Sequence, residues 1–574
     1  MAGEFTATAS SIRRTRHPGR RAEVPATAPS LRLAALLHAV TPLLWVGQAA
    51  LLSEVVAGLV DGTGGVHAAL LPAAGIVLLG ALRALGDAAA SRMAFRAARV
   101  ELSRLRNRAA EALAHGSPLD IRRPPSGLAA STLAEQAEAI LPYLSRFGPA
   151  RLRAVTVPLA LLGVVLWFSW AAALVLALTA PFIPFFMALI GWRAQAASEE
   201  QLVELGGMNA FLLDRLRGLA TIRTHRAVDA TARRLRANAE SLRRRTMVVL
   251  RIAFLSSAVL ELFSAAGVAL VAAYIGLHLL GAVDFGSWGT PLGLDHGLFI
   301  LLLAPSFYEP LRELAAVWHD RAAGRAALAA LAALAQEGQT LIGRSAPPTD
   351  TPPRSPSPPA LLFDRITFRH AGAADTVFDG FTLAVSPGEH VALFAPSGVG
   401  KSTLLALLAG FAAPDAGRVL IDGEALTDDN AARLRARMAY VGQSPHIFAG
   451  TLMGNVTLGR PGLDAGAPAR ALALAKLEPV AAVRGPAPIG EAGRGISGGE
   501  ALRLAIARMA VSPGVDLILA DEPTAHLDTG TAAEVTQALL ELAHGRTLVV
   551  ATHDPALAAR MDRIVRLDGK DAAT

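Results

Sequence analysis

The stretch Ala395-Pro396-Ser397-Gly398-Val399-Gly400-Lys401-Ser402 decides how the chain is read. An apolar run, His390–Ala395, precedes it and a Leu-rich run opening at Ser402 follows, so it reads as strand, loop and helix. Small residues let successive backbone N–H groups wrap a phosphate, and the N-terminus of the following helix adds its dipole. Lys401 is spaced to reach the β- and γ-phosphates, and Ser402 to ligate Mg²⁺. Of 54 basic residues only Lys401, Lys476 and Lys570 are lysine. A chain that otherwise uses arginine keeps a lysine where a compact, flexible point charge is needed. Ala395 stands where this pattern expects glycine. It fits if that backbone does not need positive φ.

Working outward, residues 360–574 alternate β-branched runs with helical stretches and read as an α/β domain. Asp516-Leu-Ile-Leu-Ala-Asp521-Glu522 is an apolar strand ending in two carboxylates. Asp521 is placed to hold Mg²⁺ and Glu522 to polarise an attacking water; a surface turn after a buried strand is the alternative. Gly495-Ile-Ser-Gly-Gly-Glu500 opens a long helix, where Ser497, Gly498 and Gly499 form a second anion site. One nucleotide cannot easily use both sites. The second is therefore expected to face a nucleotide held by another chain.

The N-terminal half differs in kind. The 574-residue chain is 52% hydrophobic and 18% charged, with a mean hydropathy of +0.41, which excludes a disordered protein and points to membrane spans. Apolar runs cover roughly 31–60, 66–91, 148–168, 170–192, 252–283 and 292–318, each near the ~20 residues that cross a bilayer. They predict six spanning helices. Residues 1–359 carry 35 Lys and Arg against 24 Asp and Glu, whereas residues 360–574 carry 19 against 23. The basic excess thus lies beside lipid, and no nucleic-acid partner is expected. The connections Asp61–His67, Ser169 and Gly281–Gly297 hold no Lys or Arg, while Arg clusters flank the other span ends. Both termini are therefore expected in the cytoplasm. The inner segments 92–147 and 193–251 read as helices continuing past the membrane. Seven prolines between Pro347 and Pro359 mark a linker. The expected division is a disordered basic N-terminus (1–30), a six-helix transmembrane domain (31–330), a Pro-rich linker (331–359) and an ATPase domain (360–574). Without cysteine, disulfides, thiolate metal sites and cysteine nucleophiles are excluded.

In order, the phosphate loop, Gln443, the Ser497-Gly-Gly motif, the Asp521–Glu522 strand, Ala525-His-Leu-Asp528 and His553 resemble an ABC-transporter ATPase. The resemblance implies a six-helix exporter-type membrane domain followed by a P-loop ATPase. Catalytic roles then fall to Glu522, His553 and Gln443. Nucleotide contacts fall to His370, Ser397, Gly398, Gly400, Lys401, Ser402, Thr403, Ser497, Gly498 and Gly499, and Mg²⁺ contacts to Ser402, Gln443 and Asp521. His370 takes the adenine-stacking position; a solvent-facing loop histidine is the alternative. The family's signature usually reads LSGGQ, and Glu500 here would add negative charge near the phosphates of the partner's site. Asn209–Arg223 is expected to couple the ATPase to the membrane helices, with a plain amphipathic helix as the alternative.

Arg245–Ser264, Leu280–Gly286 and Leu303–Arg312 are similar to the D-subunit family of heterodimeric thiol-reductant exporters that serve cytochrome bd assembly. That likeness implies ATP-driven export of cysteine or glutathione across a bacterial inner membrane, a C-type half-exporter as partner, and possible haem association. The intramembrane charges Glu54, Arg83, Glu261, Glu309 and Arg312 are candidates to hold a zwitterionic thiol, or else pair with one another or snorkel. A chain without cysteine forms no mixed disulfide with such a cargo. An exporter of lipid or hydrophobic peptide remains open, as does an ATP-gated assembly or sensory protein that transports nothing.

Overall fold

The computed structural model describes residues 29–567 except 63–65, 184, 187–188, 190–207, 209–210, 213–214, 217, 290, 337, 344–356, 374 and 490–494. The N-terminus (1–28) and residues 337 and 344–356 of the expected linker lie outside the described residues. So do residues 209–210, 213–214 and 217 of the proposed coupling segment, whose end lies in a short helix, Leu219–Thr224. The chain divides into two compact units, residues 1–110 with 126–334 and residues 111–125 with 335–574.

The first unit is helical. α1 (Pro29–Val40) and α2 (Leu44–Val60) are joined by a 3-10 turn at Thr41–Leu43 that begins beside Pro42. α3 (Val66–His115) is one 50-residue helix, which carries the apolar run directly into the Arg-rich stretch behind it. α4 (Ser126–Ala134) and a π-helical turn at Tyr143–Phe147 lead into α5 (Gly148–Phe168). Ser169 turns the chain: it is extended, its Oγ accepts from Ala172 N–H to cap α6 (Trp170–Thr179) and donates to the Gly286 carbonyl at 2.8 Å. α7 (Val228–Leu279) runs 52 residues, α8 (Leu294–Ala316) 23, and α9 (Trp318–Leu334) closes the unit.

Among the described residues four helices are long and apolar enough to cross a membrane: 29–60, 67–115, 126–168 and 258–279. The expected fourth span, 170–192, appears as the shorter apolar helix α6 and then passes beyond the described residues. α8 covers the expected sixth run but is less apolar, because Asp295 and His296 open it and Glu309, Arg312 and Glu313 sit at its other end. The helices meet around Leu161, Leu176, Ile275, Ile300, Leu303 and Tyr308, all buried. By contrast, none of the apolar window of α3 is buried, and Leu71 and Val77 are 82% and 72% exposed. Such a surface fits a helix whose solvent is lipid.

Two expected boundaries shift. The domain limit at residue 330 falls inside α9, which continues unbroken to Leu334. Residues 111–125, expected to belong with the membrane helices, fold with the second unit instead. Their backbone pairs with the chain entering it: Ser117 N–H donates to the Gln339 carbonyl and Leu341 N–H to His115, and buried Asp120 accepts from Gln339 N–H.

The second unit is α/β. An antiparallel sheet, in the order β2-β1-β4-β5, comprises β1 (Leu361–Phe368), β2 (Phe378–Val385), β4 (Ala416–Ile421) and β5 (Glu424–Ala425). A second, parallel sheet runs β11-β3-β10-β9-β6. Its strands are β3 (His390–Phe394), β6 (Met438–Val441), β9 (Leu517–Asp521), β10 (Thr547–Thr552) and β11 (Arg563–Arg566). β9 and β10 are buried at every position, as the near-continuous apolar runs of a sheet covered on both faces require. β7 (Gly450–Thr451) and β8 (Pro488–Ile489) form a small ribbon.

Packing in the membrane unit can be tested on α7. Gly267 lies against the Tyr308 ring, so a side chain there has nowhere to go, whereas Gly276 faces open space. Gly267→Leu is expected to lower the melting temperature of the solubilised protein by several degrees, and Gly276→Leu to leave it within about 2 °C, as overpacking costs ~1–3 kcal/mol. Differential scanning fluorimetry reads both.

Candidate nucleotide site

Strand order builds the site. β10 lies between β3 and β9, parallel to both, with Ala551 level with Leu393 and with Asp521. The three carboxyl ends therefore deliver the 395–402 loop, Glu522 and His553 to one edge. Such an edge is where ligands bind in open α/β sheets.

The loop needs its glycines. Gly398 and Gly400 have φ of +92° and +106°, and a Cβ on Gly400 would lie 2.6 Å from Val377 and 2.7 Å from Phe378. Ala395 does not have positive φ, so alanine is accommodated there; its N–H continues the ladder to the Thr552 carbonyl. α10 (Lys401–Leu408) starts at the loop's end, with Leu404, Leu405, Leu407 and Leu408 fully buried.

Lys401 is buried and multiply bonded. Its Nζ donates to the carbonyls of Ala395 (2.7 Å) and Pro396 (3.0 Å) and lies 3.1 Å from Glu522 Oε1. Glu522 Oε2 pairs with His553 Nδ1, so a single buried carboxylate lies between two cationic or donor groups. Glu522 also adopts φ +49°, uncommon for a residue with a Cβ, and its N–H is held by the Ala551 carbonyl at 2.8 Å. The next strand thus aims the side chain.

Ser402 Oγ donates to Asp521 Oδ1 at 2.9 Å, joining the two residues expected to hold a metal ion. Burial, reinforced by the Glu522 charge, pushes the Asp521 carboxyl above its ordinary range, against the opposing pull of Ser402 and Lys401. Tyr440 on β6 bears on the same carboxylate, and burial and that charge push its phenol up to about 12. The Ser402 hydroxyl beside the Asp521 carboxylate fits a site for Mg²⁺, an oxygen-seeking ion that takes one or two carboxylates. His370 reaches Thr403, its Nε2 3.4 Å from Oγ1, and packs edge-on to Phe368. Gln443 follows β6, is exposed, and makes no hydrogen bond among the described residues.

Ser497, Gly498 and Gly499 are not brought to this group. Ser497 instead caps α11 (Gly498–Ala510) through a capping box: its Oγ accepts from Glu500 N–H, and Glu500 Oε2 accepts from Ser497 N–H at 2.6 Å. The Glu500 carboxylate is thereby oriented at the helix start. Gly499 sits against Thr531 at the start of α12 (Thr529–Ala543), whose cap Asp528 accepts from Thr531 N–H.

Two contacts went unread in the sequence. Tyr440 gave no signal, lying inside an apolar strand. Thr524 Oγ1 donates to Asp554 Oδ2 at 2.9 Å, tying the turn after Glu522 to the turn that carries His553. The Thr552-His-Asp554 spacing was visible, but its partner across the sheet was not.

Because its ionised form is penalised by burial, Asp521→Asn is expected not to lower the melting temperature of the nucleotide-free protein by more than about 1 °C. The same substitution should raise the Mg²⁺ concentration needed for half-maximal hydrolysis at least about tenfold. Thermal melts and Mg²⁺ titrations of turnover check both halves.

Residues 378–525 match the ABC transporter family and residues 31–294 the ABC transporter transmembrane region. The chain is 34% identical to the transport ATP-binding protein AarD of Providencia stuartii, over 91% of this chain and 88% of that protein. It is 33% identical to the glutathione/L-cysteine transport system ATP-binding/permease protein CydD of Escherichia coli, over the same shares. Its fold resembles that of a bacterial Atm1-family ABC exporter solved with ATP bound, with a TM-score of 0.73, 23% identity, and coverage of 95% of this chain and 93% of that one. With a phosphate loop, paired carboxylates and His553 at one sheet edge, and a multi-pass membrane region earlier in the sequence, the chain belongs to the ABC exporters, which hydrolyse ATP to drive transport.

Proposed function

We propose that this chain is one half of a heterodimeric exporter that moves small thiols, cysteine or glutathione, out of the cytoplasm in support of cytochrome bd assembly. It would lie in a bacterial inner membrane with both termini and the ATPase domain cytoplasmic, beside a C-type half-exporter. The observation that carries the reading is the near full-length similarity to CydD, a glutathione/L-cysteine transporter. A second observation supports it. Glu54, Arg83, Glu261, Glu309 and Arg312 form no ion pair with one another among the described residues, which leaves them free to meet a zwitterionic cargo. Haem has no comparable support and is not part of the proposal.

The chain's own groups define the chemistry. Ser397, Gly398, Gly400 and Thr403 line the loop that takes the phosphates, and Lys401 turns its ammonium from backbone carbonyls toward the γ-phosphate. Ser402 and Asp521, with Gln443 beyond them, would hold Mg²⁺, which offsets the phosphate charge when bound. Glu522 accepts the proton of the attacking water, and His553, already paired with it, keeps its carboxylate turned inward. Ser497, Gly498 and Gly499 complete the partner's nucleotide site, and the partner's signature completes this one. Closure of that seam biases the membrane helices outward, and hydrolysis releases them.

Inside-out vesicles holding both halves are expected to accumulate labelled cysteine or glutathione with ATP, and Glu522→Gln to cut the uptake at least about a hundredfold. Uptake no higher than in that variant, with ATP hydrolysis stimulated by lipid but not by thiols, would overturn the reading in favour of another cargo. ATP-dependent partner binding with no flux of either would point to a protein that transports nothing.

A further inference from the structure

Within the membrane unit, α3 and the turn before α5 enclose a cleft of about 520 Å³ that has no part in nucleotide chemistry. Arg92 and Arg96 line one wall and Arg146 another, with Phe95, Leu141 and Pro142 between them. The composition is amphipathic: three guanidiniums over an apolar floor. Phe95 is 48% exposed, an apolar ring left open beside the charges. Arg92 and Arg96 make no ion pair among the described residues, and Arg146 has only Asp320, at 3.7 Å. The neighbouring Arg99 is already engaged by Glu138 and stacks on Phe95, so it helps hold the ring without offering a free charge.

Two independent counts give the depth of this cleft. α5 runs about 31 Å over 21 residues from Gly148 to the arginine-free turn at Ser169; Arg151 and Arg153 mark its first turns as interfacial, which puts Arg146 in the headgroup layer. α3 starts at Val66, after the other arginine-free turn, and Arg92 lies about 39 Å along it. With that turn in the opposite headgroup layer, Arg92 too falls at headgroup level on the arginine-rich side. Both walls therefore reach the phosphate layer together.

From this placement we infer that the cleft holds an anionic phospholipid of the cytoplasmic leaflet, its phosphate against Arg92, Arg96 and Arg146 and an acyl chain along Phe95 and Leu141. Planar guanidiniums suit phosphate oxygens, and basic pockets between spanning helices on this side suit anionic headgroups. The lipid would brace α3 against the chain entering α5, where α3 otherwise presents an unburied apolar surface.

Native mass spectrometry of the delipidated two-half complex tests this, by titration with dioleoyl phosphatidylglycerol and, separately, dioleoyl phosphatidylcholine. At least about tenfold preference for phosphatidylglycerol is expected, lost in the triple variant Arg92→Gln, Arg96→Gln, Arg146→Gln and kept when the same three become Lys. Should the glutamine variant fail to assemble, Leu141→Trp in the otherwise unchanged protein gives the same answer. Its added fluorescence should be quenched by brominated phosphatidylglycerol and not by brominated phosphatidylcholine. Equal retention of the two lipids, or unchanged retention after loss of the arginines, overturns the inference. So does displacement of phosphatidylglycerol by millimolar glutathione or inorganic phosphate, which would make the cleft a site for a soluble anion.

Discussion

A carboxylate buried at the end of an apolar strand is costly, and in this protein two stand side by side. Asp521 and Glu522 close β9, both less than a tenth exposed. An uncompensated pair would shed its charge by taking up a proton. Compensation comes from two elements: Lys401 and Ser402 in the first turn of α10, and His553 after β10. None of these is near in sequence, so the parallel order of β3, β10 and β9 is what keeps the carboxylates tolerable. The left-handed backbone of Glu522 belongs to the same arrangement, because it turns the second carboxylate back toward the lysine instead of along the strand.

A group held this way is poised. Glu522 is held between Lys401 and His553, so the fold itself sets its orientation. Lys401 is bonded to backbone carbonyls of its own loop, which keeps the ammonium close to where a phosphate would sit. What the chain does not bring to this edge is equally informative. Ser497 and the two glycines after it begin a different helix, with a capping box that rigidifies their N–H groups without satisfying an anion. Under the proposed function this arrangement is half of a site, completed by a second such domain.

How legible this was depended on whether the chemistry was local. Residues 395–402 declare themselves because a phosphate loop is a contiguous device. The Asp521–Glu522 pair does so because an apolar strand ending in acids has few other uses. The spacing of Ser497 and Glu500 also carries the sign of a capping box, a local device that the structure forms at the start of α11. Tyr440 and the Thr524–Asp554 bond were illegible: each joins strands far apart in sequence, and nothing in a single segment marks a partner across a sheet. In the membrane unit four of the six expected spans followed from hydropathy among the described residues, but α8 mixes polar ends with an apolar centre, and residues 111–125 fold with the ATPase unit for backbone hydrogen bonds that composition does not encode.

The central claim is that a complete catalytic site needs a second chain. ATP turnover measured on size-separated fractions, one holding the single chain and one the two-half assembly in the same lipid, addresses it most directly. Turnover confined to the assembled fraction, at least about tenfold above the lone chain, is the predicted result. Equal turnover per chain in both fractions would contradict it.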